Sequence, residues 1–295
     1  MKIIDCFMYF DEDMLLDLRL NIMDKFVSKF IICESVFNHK GIKKKLNFDI
    51  NKFKKFKDKI IYIALKDQPN NIKEILNDDD KEKQNSKIIY NSINRDIYQR
   101  NHLMSEIENF EDDDLILISD LDEIPNLNNF TYKKKISVFC QKMFYYKFNL
   151  IYPNFIWYGT KACKKKYLIS PQWLRNIKSK KYNFWRLDAI LSKKKYINLD
   201  FINNGGWHFT NIKKAEDIHF KMQNFAHHLE YESSGITLEK LKKSIENKVV
   251  FYDHSSKKSE QDKWNAGFKL KKIDLNYLPE YLSENKNKYK NWIEN

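Results

Sequence analysis

The run Leu115-Ile116-Leu117-Ile118-Ser119, followed at once by Asp120-Leu121-Asp122-Glu123-Ile124-Pro125, constrains this chain more than any other segment. Four consecutive apolar residues predict a short strand buried on both faces, the pattern of a parallel strand covered by helices. Three acids crowd its carboxyl end, and Pro125 closes the segment. Acids this close repel one another, and desolvating them is costly unless a cation or polar ligand sits there. In open α/β sheets that edge is where ligands bind. The competing reading is a solvated turn with helix-capping acids.

The flanking sequence places this strand in a larger pattern. Residues 2–9, Phe30 to Cys33 and Lys59 to Leu65 read as strands. Asp13 to Asp24, with Leu15, Leu16, Leu18, Ile22 and Met23, reads as a helix. Residues 66–86 are polar and predict a loop. Ile88 to Phe110 predicts a long helix with Ile93, Ile97, Met104 and Ile107 along one side. Strand–helix–strand alternation of this kind predicts a mostly parallel sheet flanked by helices. After residue 130 the texture changes: 136–150, 155–169 and 199–209 read as strands, and 215–229, 237–246 and 279–293 as helices. The expected α/β organisation is a catalytic domain over residues 1–212 and a helical C-terminal extension, 213–295, packed on the same domain.

The net charge of +13 over 295 residues invites a nucleic-acid reading. Only Arg19, Arg95, Arg100, Arg175 and Arg186 among the 53 basic residues are arginine, the residue that reads bases bidentately. The lysine excess, with abundant Asn and Ile, is instead the imprint of an AT-rich genome, and no nucleic acid is expected as a partner. Cys6, Cys33, Cys140 and Cys163 form no CxxC pair and are expected as buried free thiols in a reducing compartment. No apolar run reaches 18 residues, and the N-terminal run is broken too soon by Asp5 for a signal peptide. A soluble, cytoplasmic protein without a transmembrane segment is the expectation.

Asp-x-Asp after a hydrophobic strand is how nucleotide-sugar transferases hold a divalent metal on a diphosphate. Hard oxygen ligands suit Mg²⁺ or Mn²⁺, and Mn²⁺ also accepts imidazole. Asp122 is expected as a direct ligand. Asp120 is expected to reach the ribose or a metal-bound water.

Several segments together resemble glycosyltransferase family 17, the family of β-1,4-mannosyl-glycoprotein 4-β-N-acetylglucosaminyltransferase and its bacterial relatives. They are Asp5-Cys6-Phe7, Glu12-x-x-Leu15-Leu16-x-Leu18-Arg19-Leu20, Cys33-Glu34-Ser35-x-Phe37-x-x-x-Gly41-x-x-Lys44, and Gln99-Arg100-Asn101. The acid-tipped strand, Trp157-x-Gly159-Thr160, Pro171-Gln172-x-Leu174-Arg175 and Gly205-Gly206-Trp207-His208-Phe209 continue the series in family order. The membrane anchor of the animal enzymes is missing, and Phe225-Ala226-His227-His228-Leu229-Glu230 matches a bacterial element only with a one-residue offset.

The resemblance implies a GT-A-type, Rossmann-like fold and inverting transfer from a UDP-sugar, with N-acetylglucosamine as the sugar of the animal members, to a glycan or glycoconjugate acceptor. It implies His208 as a third metal ligand and places Arg100 and Asn101 near the donor diphosphate, where Asp96 and Arg100 alternatively form a surface pair one helical turn apart. Glu34 is expected to meet the uridine or ribose and Lys44 a phosphate. Inversion needs a carboxylate to take the acceptor proton. Asp188, 20 residues before His208, and Glu230 are the candidates, with Glu123 behind them. The alternatives are a metal-dependent phosphohydrolase or nucleotidyltransferase built on the same acids, a basic nucleic-acid-binding protein, or a sugar-binding relative without catalysis.

Overall fold

In the computed structural model, which describes residues 1–182, 192, 194–225, 228–254, 263–264 and 267–295, the acid-tipped segment is a strand inside a parallel block. Strands β1 (Ile3–Met8), β2 (Lys29–Ser35), β3 (Ile60–Leu65) and β4 (Leu115–Ser119) pair in the order β3-β2-β1-β4, all parallel. Every residue of β4 is buried. Leu115 and Leu117 enter one apolar cluster and Ile116 and Ile118 the other, so the strand is covered on both faces as its composition predicts.

Helix α1 (Asp13–Met23) returns the chain from β1 to β2 and buries Leu15, Leu16, Leu18, Leu20 and Met23. Helix α2 (Lys81–His102) precedes β4 and begins where the Asp80 carboxylate accepts the Lys83 N–H at 2.7 Å, an N-cap. It starts within the expected polar loop and stops before Phe110, where a short helix α3 (Met104–Ile107) follows. Its inner face differs from the expected apolar stripe. Ile93 is 38% exposed, whereas Asn91, Ser92, Gln99 and Arg100 are buried. The reason is the surface beneath it: Gln99 donates to the Cys33 carbonyl at 2.9 Å and Arg100 reaches the acids after β4. A helix laid over polar strand ends buries polar residues.

The second half adds antiparallel pairs to the parallel block. Strands β5 (Glu123–Pro125), β6 (Ile136–Tyr145), β7 (Leu150–Lys164), β8 (Leu199–Ile202) and β9 (Gly206–Thr210) continue the same sheet. Here β7 runs antiparallel to both β4 and β6, and β5 runs antiparallel to β9, while β6 is parallel to β8 and β9. The sheet is therefore mixed. Only four residues separate β6 from β7, too few for the crossover that a parallel pair needs. A short helix α4 (Pro171–Asn176) follows β7.

Beyond residue 212 the chain is helical at Ala215–Asn224, His228–Ser233, Leu238–Glu246 and Glu280–Glu284. Ile218, Tyr231 and Leu241 from these helices pack with Met143 and Tyr145 of β6. Strands β10 (Val249–Val250) and β11 (Phe268–Lys269) pair with each other, and β12 (Lys271–Lys272) adds to the edge of β7.

Candidate active site

The acid-bearing turn after β4 is held from below by Arg19 of α1. Arg19 and Asp5 are both fully buried, with Nε to Oδ2 at 2.8 Å and Nη2 to Oδ1 at 2.6 Å. Nη1 of the same guanidinium donates to the carbonyls of Asp120 and Leu121 at 3.1 Å and of Glu123 at 2.8 Å. Arginine suits this position because its rigid fork serves a carboxylate and several carbonyls together, which a lysine ammonium does not. The turn geometry is thus set before any ligand arrives.

The acid side chains then separate into distinct environments. Asp120 Oδ1 accepts from Arg100 Nη2 at 3.1 Å, and its Oδ2 accepts from Arg175 Nη2 at 2.7 Å. Burial by itself would raise this carboxyl, but the Arg175 and Arg100 charges overcome it and hold it well below the usual carboxylate range. Glu123 is fully buried and accepts from Arg175 at 2.6 and 2.8 Å and from the Trp157 indole N–H at 2.6 Å. The repulsion expected among the acids is therefore relieved in large part by the protein's own arginines.

Asp122 faces His208, with Oδ1 3.4 Å from Nε2. Burial opposes its ionisation, and His208 together with Lys221 overcomes it and lowers the pKa. His208 lies opposite Glu123 in the β5–β9 ladder, and its ring sits 4.9 Å from the Trp157 ring. Its Nδ1 is buried without a hydrogen-bond partner among the described residues.

Above these acids is a pocket of about 260 Å³ at the carboxyl ends of β1, β2 and β4. Tyr9, Phe37, Arg100, Asp120, Asp122 and Lys221 are among its lining residues. The lining combines aromatic rings with acids and cations. Lys221 comes from the helix Ala215–Asn224, so the C-terminal region completes the pocket. Burial would lower its ammonium pKa, but Glu12, 3.5 Å away, and Asp122 raise it.

The sequence-derived candidates divide. Asp120, Asp122, Arg100 and Lys44 line the pocket, and His208 meets Asp122. Glu34 is fully buried, and its oxygens accept from Asn47 N at 2.8 Å, Phe48 N at 3.0 Å, the Tyr62 hydroxyl at 2.9 Å and Lys44. It anchors the loop after β2 and does not line the pocket. Asn101 does not line it either; its Oδ1 accepts the Gln172 N–H at 3.0 Å and ties α2 to α4. Glu230 sits half-buried on the helix His228–Ser233, outside the pocket lining. Asp188 lies outside the described residues. Arg19, Arg175, Glu12 and Lys221 carry no assigned role in the sequence reading. Arg19 and Arg175 stand in the quoted motifs and are rare in a lysine-rich chain, a usable signal; Lys221 offers none.

Among the described residues, no group of three or more His, Cys, Asp or Glu side chains is arranged to hold a metal ion. Asp122 and His208 nonetheless supply a carboxylate oxygen and an imidazole nitrogen within 3.4 Å, a donor pair that suits Mn²⁺. Also among the described residues, no helix is long and apolar enough to cross a membrane.

Acids and arginines at the carboxyl edge of a parallel strand block, with a pocket above them, are the layout of an α/β enzyme's ligand site. The sequence matches the family described as Glycosyltransferase family 17 over residues 1–293, and the chain belongs to that family. It is a glycosyltransferase. Comparison with curated proteins gave no match.

Proposed function

We propose that this protein is a metal-dependent inverting transferase of GT-A type that moves a sugar, N-acetylglucosamine, from a UDP-sugar to a glycan acceptor in the cytoplasm. The observation that carries the reading is the convergence of Asp120, Asp122 and Arg100 in one pocket of a chain belonging to a glycosyltransferase family. Residues 1–212 serve as the catalytic domain, and the extension 213–295 closes the pocket through Lys221.

In this reading Asp122 and His208 hold Mn²⁺ or Mg²⁺, with Asp120 beside them. The metal, when bound, stabilises as a Lewis acid the charge that develops on the leaving diphosphate. Arg100 and Lys221 add fixed positive charge to the same pocket, where a low dielectric strengthens it. Phe10 and Phe37, half-buried in the pocket lining, offer ring surface for the nucleotide base. Arg19 keeps the Asp120–Asp122 turn rigid so that the acids need not reorganise during the reaction. A carboxylate across the sugar from the diphosphate takes the acceptor proton, and Asp188 and Glu230 remain the candidates.

Incubating the purified chain with UDP-N-acetylglucosamine, UDP-glucose, UDP-galactose and GDP-mannose, with Mn²⁺ or with chelator, tests this. UDP release and a mass increment on a glycan acceptor are expected, greatest with UDP-N-acetylglucosamine and lost with chelator. Preference for GDP-mannose over all UDP-sugars would overturn the donor assignment. Full turnover in chelator would overturn the metal. Release of UDP only to water, whatever the acceptor, would favour the hydrolase reading.

A further inference from the structure

A second cleft, about 760 Å³, lies beside β5 and β9. It shares no lining residue with the acid pocket. Successive side chains of a strand point to opposite faces: His208 meets Asp122, and its neighbour Trp207 lines this cleft. The far wall is the segment around the 3₁₀ turn Leu275–Tyr277, anchored by buried Leu278 and Leu282.

The lining is specific in kind. Trp207 is half-buried against the core, and its indole N–H donates to the Tyr277 carbonyl at 2.9 Å, so the ring is fixed and its polar atom satisfied. Tyr277 is 62% exposed. Asn128 and Asn276 are exposed at the cleft, and their side-chain amides make no protein hydrogen bond among the described residues. Each amide offers donors and an acceptor. Lys25, Lys142, Glu280 and Glu284 all line the cleft, so it has no charge sign that would select an anion; Lys142 Nζ stands 5.6 Å from the Tyr277 ring centroid. Asn is common in this chain, and exposed amides alone would mean only hydration; a fixed indole and an exposed phenol among them mean more. Aromatic faces pack on the C–H faces of pyranose rings while amides bond the hydroxyls. The volume is that of a ligand pocket.

We propose that this cleft is a second saccharide site that binds a neutral oligosaccharide apart from the catalytic pocket. It goes beyond the transfer reaction, since it needs neither donor nor turnover. Its test is binding by the full chain of three tetrasaccharides: β-1,4-linked glucose, β-1,4-linked N-acetylglucosamine and α-linked mannose. Tryptophan fluorescence and saturation-transfer NMR are the readouts. At least one should bind at millimolar concentration, Tyr277→Ala should weaken it about tenfold, and Asn276→Ala should weaken it less. UDP binding should be unchanged in both variants. Both positions are exposed, so the fold tolerates the changes. No binding by any of the three overturns the proposal, as does binding that survives in the double variant. Displacement of the bound sugar by UDP overturns it too, because the saccharide would then occupy the catalytic pocket. These results are independent of the transfer assay, so failure of one reading is distinguishable from failure of the other.

Discussion

Arg175 grips Glu123 with two parallel hydrogen bonds, Nη2 to Oε1 at 2.6 Å and Nη1 to Oε2 at 2.8 Å, across 52 residues of sequence. The same Nη2 reaches Asp120 at 2.7 Å. This bidentate arrangement places a permanent cation behind the acids of the pocket, and it ties α4 to the turn that carries them.

Arg175→Ala leaves fully buried Glu123 without its cation and is expected to lower unfolding free energy by about 3–5 kcal/mol. Urea unfolding of the two proteins measures this. Arg175→Lys should recover only part, because a lysine makes no paired fork. A loss below about 1 kcal/mol would show that the pair contributes little.

Asp122→Asn is expected to remove turnover while leaving stability within about 1 kcal/mol of the parent. The native protein in chelator should behave the same way. Metal titration followed by thermal shift gives a readout besides activity: Mn²⁺ should raise the melting temperature of the parent and not of the variant.

Arg100→Ala is expected to weaken donor binding and slow transfer together, the latter by about a hundredfold, because its charge acts on both the bound diphosphate and the developing leaving group. Its guanidinium bridges Asp96, Asp120 and Gln172, so some stability is lost as well. Steady-state kinetics beside UDP calorimetry separates these effects; unchanged UDP affinity would remove Arg100 from the donor site.

Asp188→Ala and Glu230→Ala are expected to match in UDP binding and to differ in turnover, the true base variant being slower by about 10²–10⁴-fold. Glu123 no longer stands behind them, since its oxygens are engaged by Arg175 and Trp157. If both variants keep near-native rates, the assignment passes to Glu12, an acid that lines the pocket.

Lys161 is buried in β7, and its ammonium donates to the Arg175 and Ile177 carbonyls at 2.6 Å. Burial, with help from the Arg175 charge, pushes its pKa down to about 7. The unfolded chain titrates near 10.4, so between these values it binds more protons than the native state. This group's contribution therefore favours folding fully above that upper value and is lost as pH falls through about 7. Comparing the pH dependence of unfolding in the native protein and Lys161→Met should show a shallower rise from pH 7 to pH 10 in the variant. Equal slopes would contradict the assignment.

The sequence by itself determined the parallel block and the acidic turn. Continuous apolarity is a local property of a run, so Leu115 to Ile118 announced a strand covered on both faces, and Asp120, Asp122 and Glu123 announced an acidic turn at its carboxyl end. The four cysteines read as buried thiols are buried and free. Tertiary structure decided which charge meets which. Arg175 stands 55 residues from Asp120, and Arg19 stands 101 residues from it in sequence. Nothing in the local pattern said that Glu34 spends its oxygens on Asn47, Phe48, Tyr62 and Lys44, or that α2 turns a polar face inward. Periodicity reports how water-averse a segment is. Pairing of charges depends on strand order and crossover, which here become mixed after β4 and bring α4 and the helix Ala215–Asn224 to the acid-bearing turn.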